Sequence, residues 1–214
     1  MIIDIIPVYL GRIVCNCYII KTDIGFTLID TGRGSKRRKL EKALHSAGCK
    51  PGNLNLIILT HGDFDHTGNC AYLREKFRTK IAMHINDSGM VERGDMFWNR
   101  TTGNLILRKI INALFRIRKF KPDFNLEEGY DLSEYGLNAE ILHLPGHSKG
   151  SIGVLTANCD LFCGDLFSNT KRPELNPIMD NLAEANASAE RLKGYKINTV
   201  FPGHGRPFSI GSLV

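Results

Sequence analysis

An apolar run, NLIILT at residues 55–60, ends by placing His61, Asp63, Asp65 and His66 within six positions. No other feature limits the fold of this chain so sharply. Imidazoles and carboxylates held this close repel one another or lose solvation. The stretch is therefore either a solvated turn or half of a cation site. Three further positions share its setting: His147 in LPGHSKGS, Asp165 at the end of LFCGD, and His204 in FPGHG. Each follows apolar residues in a glycine turn, where the backbone can approach a centre without a Cβ clash. A lone histidine of this kind reads as a surface or core imidazole. The set together reads as imidazole and carboxylate ligands for divalent cations, with a position left open for water. His45 on a basic helix and His143 in an alternating strand lack this setting. His84 ends a strand without the glycine turn and is only a candidate neighbour of the site.

The rest of the chain supplies a scaffold. IIDIIPVYL, IVCNCYIIKT and FTLID read as strands, with a turn at 23–25. SKRRKLEKALHSAG reads as a helix with Ser35 as cap and Gly48 as stop. TGNCAYLREKF reads as a helix and TKIAMH as a strand. EEGYDLSEYG, NAEILHLPG, GSIGVLTANC and DLFCGD read as short strands, NLAEANASAERLKGY as a helix, and INTVFPGHG closes the pattern. Strands and helices in this order give two layers of sheet with helices outside. With 214 residues and no repeat or linker, the expectation is one domain over 1–214, carrying a helical insertion at about 86–121.

Within that insertion, NLILRKIINALFRIRKF has a helical period. Ile106, Leu107, Ile110, Ile111, Leu114 and Ile117 fall on one side, with Arg108, Lys109, Arg116 and Lys119 opposite. The plain expectation is a helix packed over the domain with a solvated basic face. The alternatives are a lid, a homodimer contact, or attachment to an anionic membrane surface through the 105–120 helix.

Charge and cysteines narrow the function classes. The net charge is +6, much of it in Lys36–Lys39 and Arg108–Lys121. That clustering argues against a general nucleic-acid footprint. The N-terminal run carries Asp4 and no basic leader, and no apolar stretch is long enough to span a membrane. The six cysteines lack CxxC spacing, so reduced thiols in a cytoplasmic protein are expected.

Five motifs in order, IDTGRG, THGDFDHTGN, LPGHSKGS, CGDLF and FPGHG, resemble the metallo-β-lactamase superfamily of metal-dependent hydrolases, glyoxalase II-like members included. The resemblance covers about residues 10–207. It implies an α/β fold, a four-layer αββα sandwich with a dinuclear site at one edge between the sheets. It implies His61, Asp63 and His147 at a first metal, and Asp65, His66 and His204 at a second, with Asp165 bridging. Asp30, in IDTG, would hold the ligand loop in place. The chain departs from the family's HxHxDH in having Asp63 where the second histidine is usual. A carboxylate adds charge and a harder donor, so zinc, the first expectation for the two divalent ions, gains iron and manganese as competitors.

The chemistry expected of such a site is hydrolysis. Paired dications make hydroxide available at neutral pH, and Asp65 and Asp63 would take part as catalytic carboxylates. No nucleophile elbow is present, which disfavours serine catalysis. Cys163 reads as a core thiol. A small-molecule ester, thioester, lactone or phosphate ester is the expected substrate, with Lys149, Arg172 and Arg206 as candidate anion-binding residues. Three other readings stay open: a di-iron redox or oxygen-handling protein, a phosphodiesterase acting on nucleotides, and a metal-stabilised binding protein without turnover.

Overall fold

The computed structural model describes residues 4–11, 15–100, 104–115 and 117–213; Arg116 of the basic helix lies outside them. Twelve strands fall into two sheets among these residues. The first holds β1 (Asp4–Tyr9), β2 (Asn16–Thr22), β3 (Gly25–Ile29), β4 (Leu54–Ile58), β5 (Lys80–Met83) and β6 (Phe124–Asn125), in that spatial order. Its first three strands are antiparallel neighbours and β3 to β6 run parallel. The second holds β7 (Ala139–His143), β8 (Ile152–Thr156), β9 (Asp160–Asn169), β10 (Glu174–Leu175), β11 (Thr199–Gly205) and β12 (Phe208–Ser209), ordered β12-β11-β9-β8-β7 with β10 on β9. Among the described residues there are six α-helices: α1 (Arg37–Ser46), α2 (Phe64–Thr67), α3 (Cys70–Phe77), α4 (Ile85–Arg93), α5 (Leu105–Leu114) and α6 (Leu182–Arg191).

Three apolar cores separate four layers. Because strand side chains alternate, Cys17 and Ile19 of β2 face α1 and α3 with Leu40, Leu44, Leu73 and Phe77. Tyr18 and Ile20 face the second sheet and meet Ile141, Val154 and Phe162. Leu161 and Cys163 of β9 turn outward to Ala185 on α6 and Leu192. The αββα sandwich follows from that alternation.

Several expectations need correcting. Ser35 does not cap α1; it lies in a tight turn at Gly34–Lys36, and no side chain caps the helix. The helix expected from TGNCAYLREKF breaks into α2 and α3, separated by Gly68 and Asn69. EEGYDLSEYG is not a strand: it carries a helical turn at Ser133–Tyr135 and a single bridge from Asp131 to Glu140. Cys163, by contrast, is the core thiol expected, pushed by burial to a pKa of about 12.

The largest correction concerns α5. The expected helix packed over the domain by its apolar side sits the other way round. Arg108 and Asn112 face the body: Arg108 Nη2 donates to the Arg100 carbonyl at 3.0 Å, and Asn112 bonds Asp95 and the Met96 amide. Most of the apolar side looks outward, with Ile106 69% and Leu114 71% exposed. Ile111 is half-buried, and Ile117, beyond the end of the helix at Leu114, packs against the first core. No helix among the described residues is long and apolar enough to cross a membrane.

Candidate metal centre

The seven residues singled out from sequence meet at the strand ends, where the two sheets open. His61 and Asp63 lie on the loop after β4, Asp65 and His66 on α2, His147 between β7 and β8, Asp165 inside β9, and His204 inside β11. Their ligand-type atoms form overlapping groups: His61 with Asp63 and His147, Asp65 with His66 and His204, and His61 with His66 and Asp165, each within 4.8 Å. Asp165 stands between the first two. Its Oδ1 is 3.4 Å from His66 Nε2, and its Oδ2 is 3.4 Å from His204 Nε2 and 3.9 Å from His147 Nε2. This closeness requires Gly203, where a Cβ would lie 2.1 Å from Asp165 Oδ1.

The hydrogen bonds around the histidines decide which ring nitrogen faces the centre. Asp30 holds the left-handed conformation (φ +57°) that aspartate tolerates better than most residues. Its Oδ1 accepts from the Thr60 amide at 2.9 Å. Its Oδ2 accepts from Thr60 Oγ1 at 2.7 Å and from His66 Nδ1 at 2.8 Å. With its hydrogen committed to Asp30, Thr60 Oγ1 accepts from His61 Nδ1 at 3.0 Å. His147 Nδ1 donates to the Ile178 carbonyl at 2.7 Å. All three rings therefore turn Nε2 inward. The Nε2 atoms of His61 and His66 and Oδ1 of Asp165 are buried with no hydrogen-bond partner. Buried polar atoms in native proteins are almost always partnered, so three orphans aimed at one point fit a cation.

Electrostatics agree. Burial works against a charged His204, yet Asp165 and Asp65 outweigh it and push its pKa up to about 10. Burial likewise disfavours an ionised Asp63 or Asp165, but Arg100 for the first and His204 for the second hold them well below the usual carboxylate range. A site negative enough to draw protons onto imidazoles draws cations for the same reason.

Two residues important to this geometry were not singled out from sequence. Arg100 Nη2 lies 2.8 Å from Asp63 Oδ1, with both side chains under a tenth exposed. Asp87 on α4 is fully buried and accepts from the Gly62 amide (3.0 Å), the Gly150 amide (2.8 Å), Ser148 Oγ (2.6 Å) and Asn99 Nδ2 (2.8 Å). It thereby ties the loop of Asp63 to the loop of His147. Neither residue stands in a glycine-turn motif, and the only sequence signal was acidic and basic residues within a mostly helical segment. His84 stacks on His143 at 4.2 Å and caps α4, apart from these clusters.

A cavity of about 510 Å³ opens onto the centre, lined by Asp63, Asp65, His147, Asp165 and His204 and walled by Phe64, Met96, Phe97, Pro177 and Ile178, with Arg100 among them. Lys149, Arg172 and Arg206 do not line it. Arg172 pairs with Glu174 at 3.3 Å, and Arg206 lines a neighbouring cleft with Asn16 and Lys171.

Asp30→Asn should keep the left-handed backbone, which asparagine also tolerates, while removing an acceptor from His66 Nδ1. Metal affinity is expected to fall about 10–100-fold with little loss of fold, measured by titration of the stripped protein. Unchanged affinity would show that Asp30 does not orient His66.

The family model for the metallo-beta-lactamase superfamily matches residues 10–204. The acyl-coenzyme A thioesterase MBLAC2 of Bos taurus is 25% identical over 92% of this chain and 75% of its own. The hydroxyacylglutathione hydrolase GloC of Haemophilus influenzae is 35% identical over 72% of this chain and 66% of its own. Among solved structures, TTHA1623 in a di-iron-bound form superposes with a TM-score of 0.76 at 30% identity, covering 96% of this chain and 95% of its own. Two six-stranded sheets, a rim of inward-turned imidazoles and carboxylates, and these matches lead to one conclusion: the chain belongs to the metallo-beta-lactamase superfamily and is a metallohydrolase.

Proposed function

We propose that the chain hydrolyses small acyl thioesters, with two divalent cations held by His61, Asp63 and His147 on one side, by Asp65, His66 and His204 on the other, and by Asp165 between them. The observation that carries this reading is the trio of orphaned buried atoms, of which Asp165 also lines the cavity with its apolar wall. Cations held there supply hydroxide at neutral pH and a positive field for a developing oxyanion. The chain's own groups do the rest. Phe64, Met96, Phe97 and Ile178 would receive the acyl portion and keep bulk water from it. Asp65, within 3.4 Å of His204, would orient the attacking water and take its proton. Support for a thioester over a lactone or phosphate ester comes from the relatives: one is named as a thioesterase and another as a hydrolase of an acylated thiol.

The cations have two candidates. The imidazole-rich donor set favours zinc. The Asp63 carboxylate and the di-iron-bound relative favour iron, and the same relative keeps a di-iron redox role as the second reading. The test loads stripped protein with zinc, iron(II) or manganese and follows thiol release from acyl-coenzyme A and S-lactoylglutathione, beside a lactone and a phosphodiester. Thioester turnover that chelation abolishes and metal restores is expected. Faster turnover of the lactone or phosphodiester, or none on thioesters with two equivalents of metal bound, overturns the substrate assignment.

A further inference from the structure

The outward apolar face of α5 is the feature that the catalytic reading leaves unused. Leu105, Ile106, Leu107, Ile110 and Leu114 are 50–73% exposed, and none of the helix's residues is buried. Its inner side is already engaged: Arg108 on the Arg100 carbonyl, Asn112 on Asp95, and Phe115 stacked on Phe64 at 4.3 Å. The helix is held by polar contacts and the Phe115–Phe64 stack and offers most of its apolar stripe to the surroundings, the reverse of an ordinary surface helix.

Charge identifies the occupant. Residues 96–122 contain seven Lys and Arg (100, 108, 109, 116, 118, 119, 121) and no Asp or Glu, a charge of +7 against +6 for the whole chain. Arg100 is buried on Asp63 and Arg118 is paired with Glu75, both acids lying outside the segment. The rest of the molecule is therefore close to neutral. Lys109 is exposed on α5, and Arg93 and Lys119 border the depression beside Ala113. Arg93 lies over the exposed ring of Trp98 at 3.7 Å. Apolar residues ringed by cations and an exposed indole match a bilayer interface with anionic headgroups. A second copy docking face to face would bring two such cationic rims together with no acid in either segment, which disfavours self-association.

We propose that α5 and the Trp98 segment form a docking surface for anionic lipid bilayers. The bilayer takes the Ile106, Ile110 and Leu114 stripe into its interfacial layer, and Arg93, Lys109 and Lys119 engage the headgroups. The same segment supplies Met96, Phe97 and Arg100 to the cavity wall, so docking brings the cavity beside the lipid.

Flotation with phosphatidylcholine vesicles, with and without about 30% phosphatidylserine, tests this on the full chain, and emission from Trp98, the chain's only tryptophan, reports contact. Binding is expected to be about tenfold or more stronger to the anionic vesicles, to weaken steeply with salt, and to shift Trp98 emission to the blue. Ile110→Glu with Leu114→Glu should abolish it, and Lys109→Glu with Lys119→Glu should lower it about tenfold. Equal binding to both vesicles, no binding at low salt, or binding intact in the Ile110→Glu/Leu114→Glu variant overturns the proposal. So does a concentration-dependent dimer in sedimentation that the same variant dissociates, which would give the face to a second copy.

Discussion

Asp87→Ala is expected to destabilise the fold by about 3–5 kcal/mol, lowering the melting temperature by roughly 10 °C for a chain of this size. The reason is the number of donors that one buried carboxylate serves. The Gly62 and Gly150 amides, Ser148 Oγ and Asn99 Nδ2 all bond it, and water does not reach the position. Removing the acceptor leaves two backbone N–H groups buried without partners, at about 1–3 kcal/mol each. Collapse of the loop cannot restore them cheaply, because Gly150 already packs against the backbone of residue 87, where a Cβ would lie 2.7 Å from the Asp87 amide nitrogen. Asp87→Asn keeps one acceptor oxygen and should lose about half as much. The loops carrying Asp63 and His147 depend on this tie, so metal retention should fall with stability. Urea denaturation of both variants, with and without added metal, checks it. A loss under about 1 kcal/mol for the alanine variant would show that the network is dispensable.

The second large effect concerns Asp63. Converting it to the histidine usual in the family looks like a repair from sequence alone, and the structure says otherwise. Arg100, with its guanidinium 2.8 Å from Asp63 Oδ1, would be left as a buried cation facing an imidazole. Breaking a buried pair from one side costs about 3–5 kcal/mol, much of it the stranded charge. Asp63→His alone should therefore destabilise the protein by that amount, and so should Arg100→Met to a lesser degree. Asp63→His with Arg100→Met removes both charges and should recover most of the loss, with a coupling energy of about 2–3 kcal/mol in a double-mutant cycle. The physical claim is that Asp63 and Arg100 together carry the charge of one neutral imidazole. Additive losses in the cycle would refute it. Metal analysis of the double variant adds a second readout: exchanging a hard oxygen donor for imidazole nitrogen should move its preference from iron toward zinc.

Much of the site was legible because its residues announce themselves locally. His61 to His66, His147 and His204 stand in turns where glycine follows apolar residues, and the strands carrying them alternate or run apolar in a readable period. Asp87 and Arg100 were not legible. Each acts through partners distant in sequence, Gly150 for one and Asp63 for the other, and their own neighbourhoods look like ordinary helix and loop. The helical period of α5 was equally plain, but which side it turns to the body was not. Periodicity gives two faces; the choice was made by Asn112 and Arg108 finding Asp95 and the Arg100 carbonyl, contacts no local pattern encodes.

The amino-acid sequence by itself determined the layered α/β sandwich, the identities of the cation-seeking side chains and their order along the chain. Those follow from short-range rules: period two in strands, glycine where backbone must pass closely, imidazole and carboxylate at strand ends. Only the tertiary structure decided which nitrogen of each histidine faces inward, which cation balances Asp63, and which side of α5 meets the surroundings. These are set by bonds between residues tens of positions apart, where the low dielectric of the interior makes an unmatched charge or donor costly enough to select one arrangement.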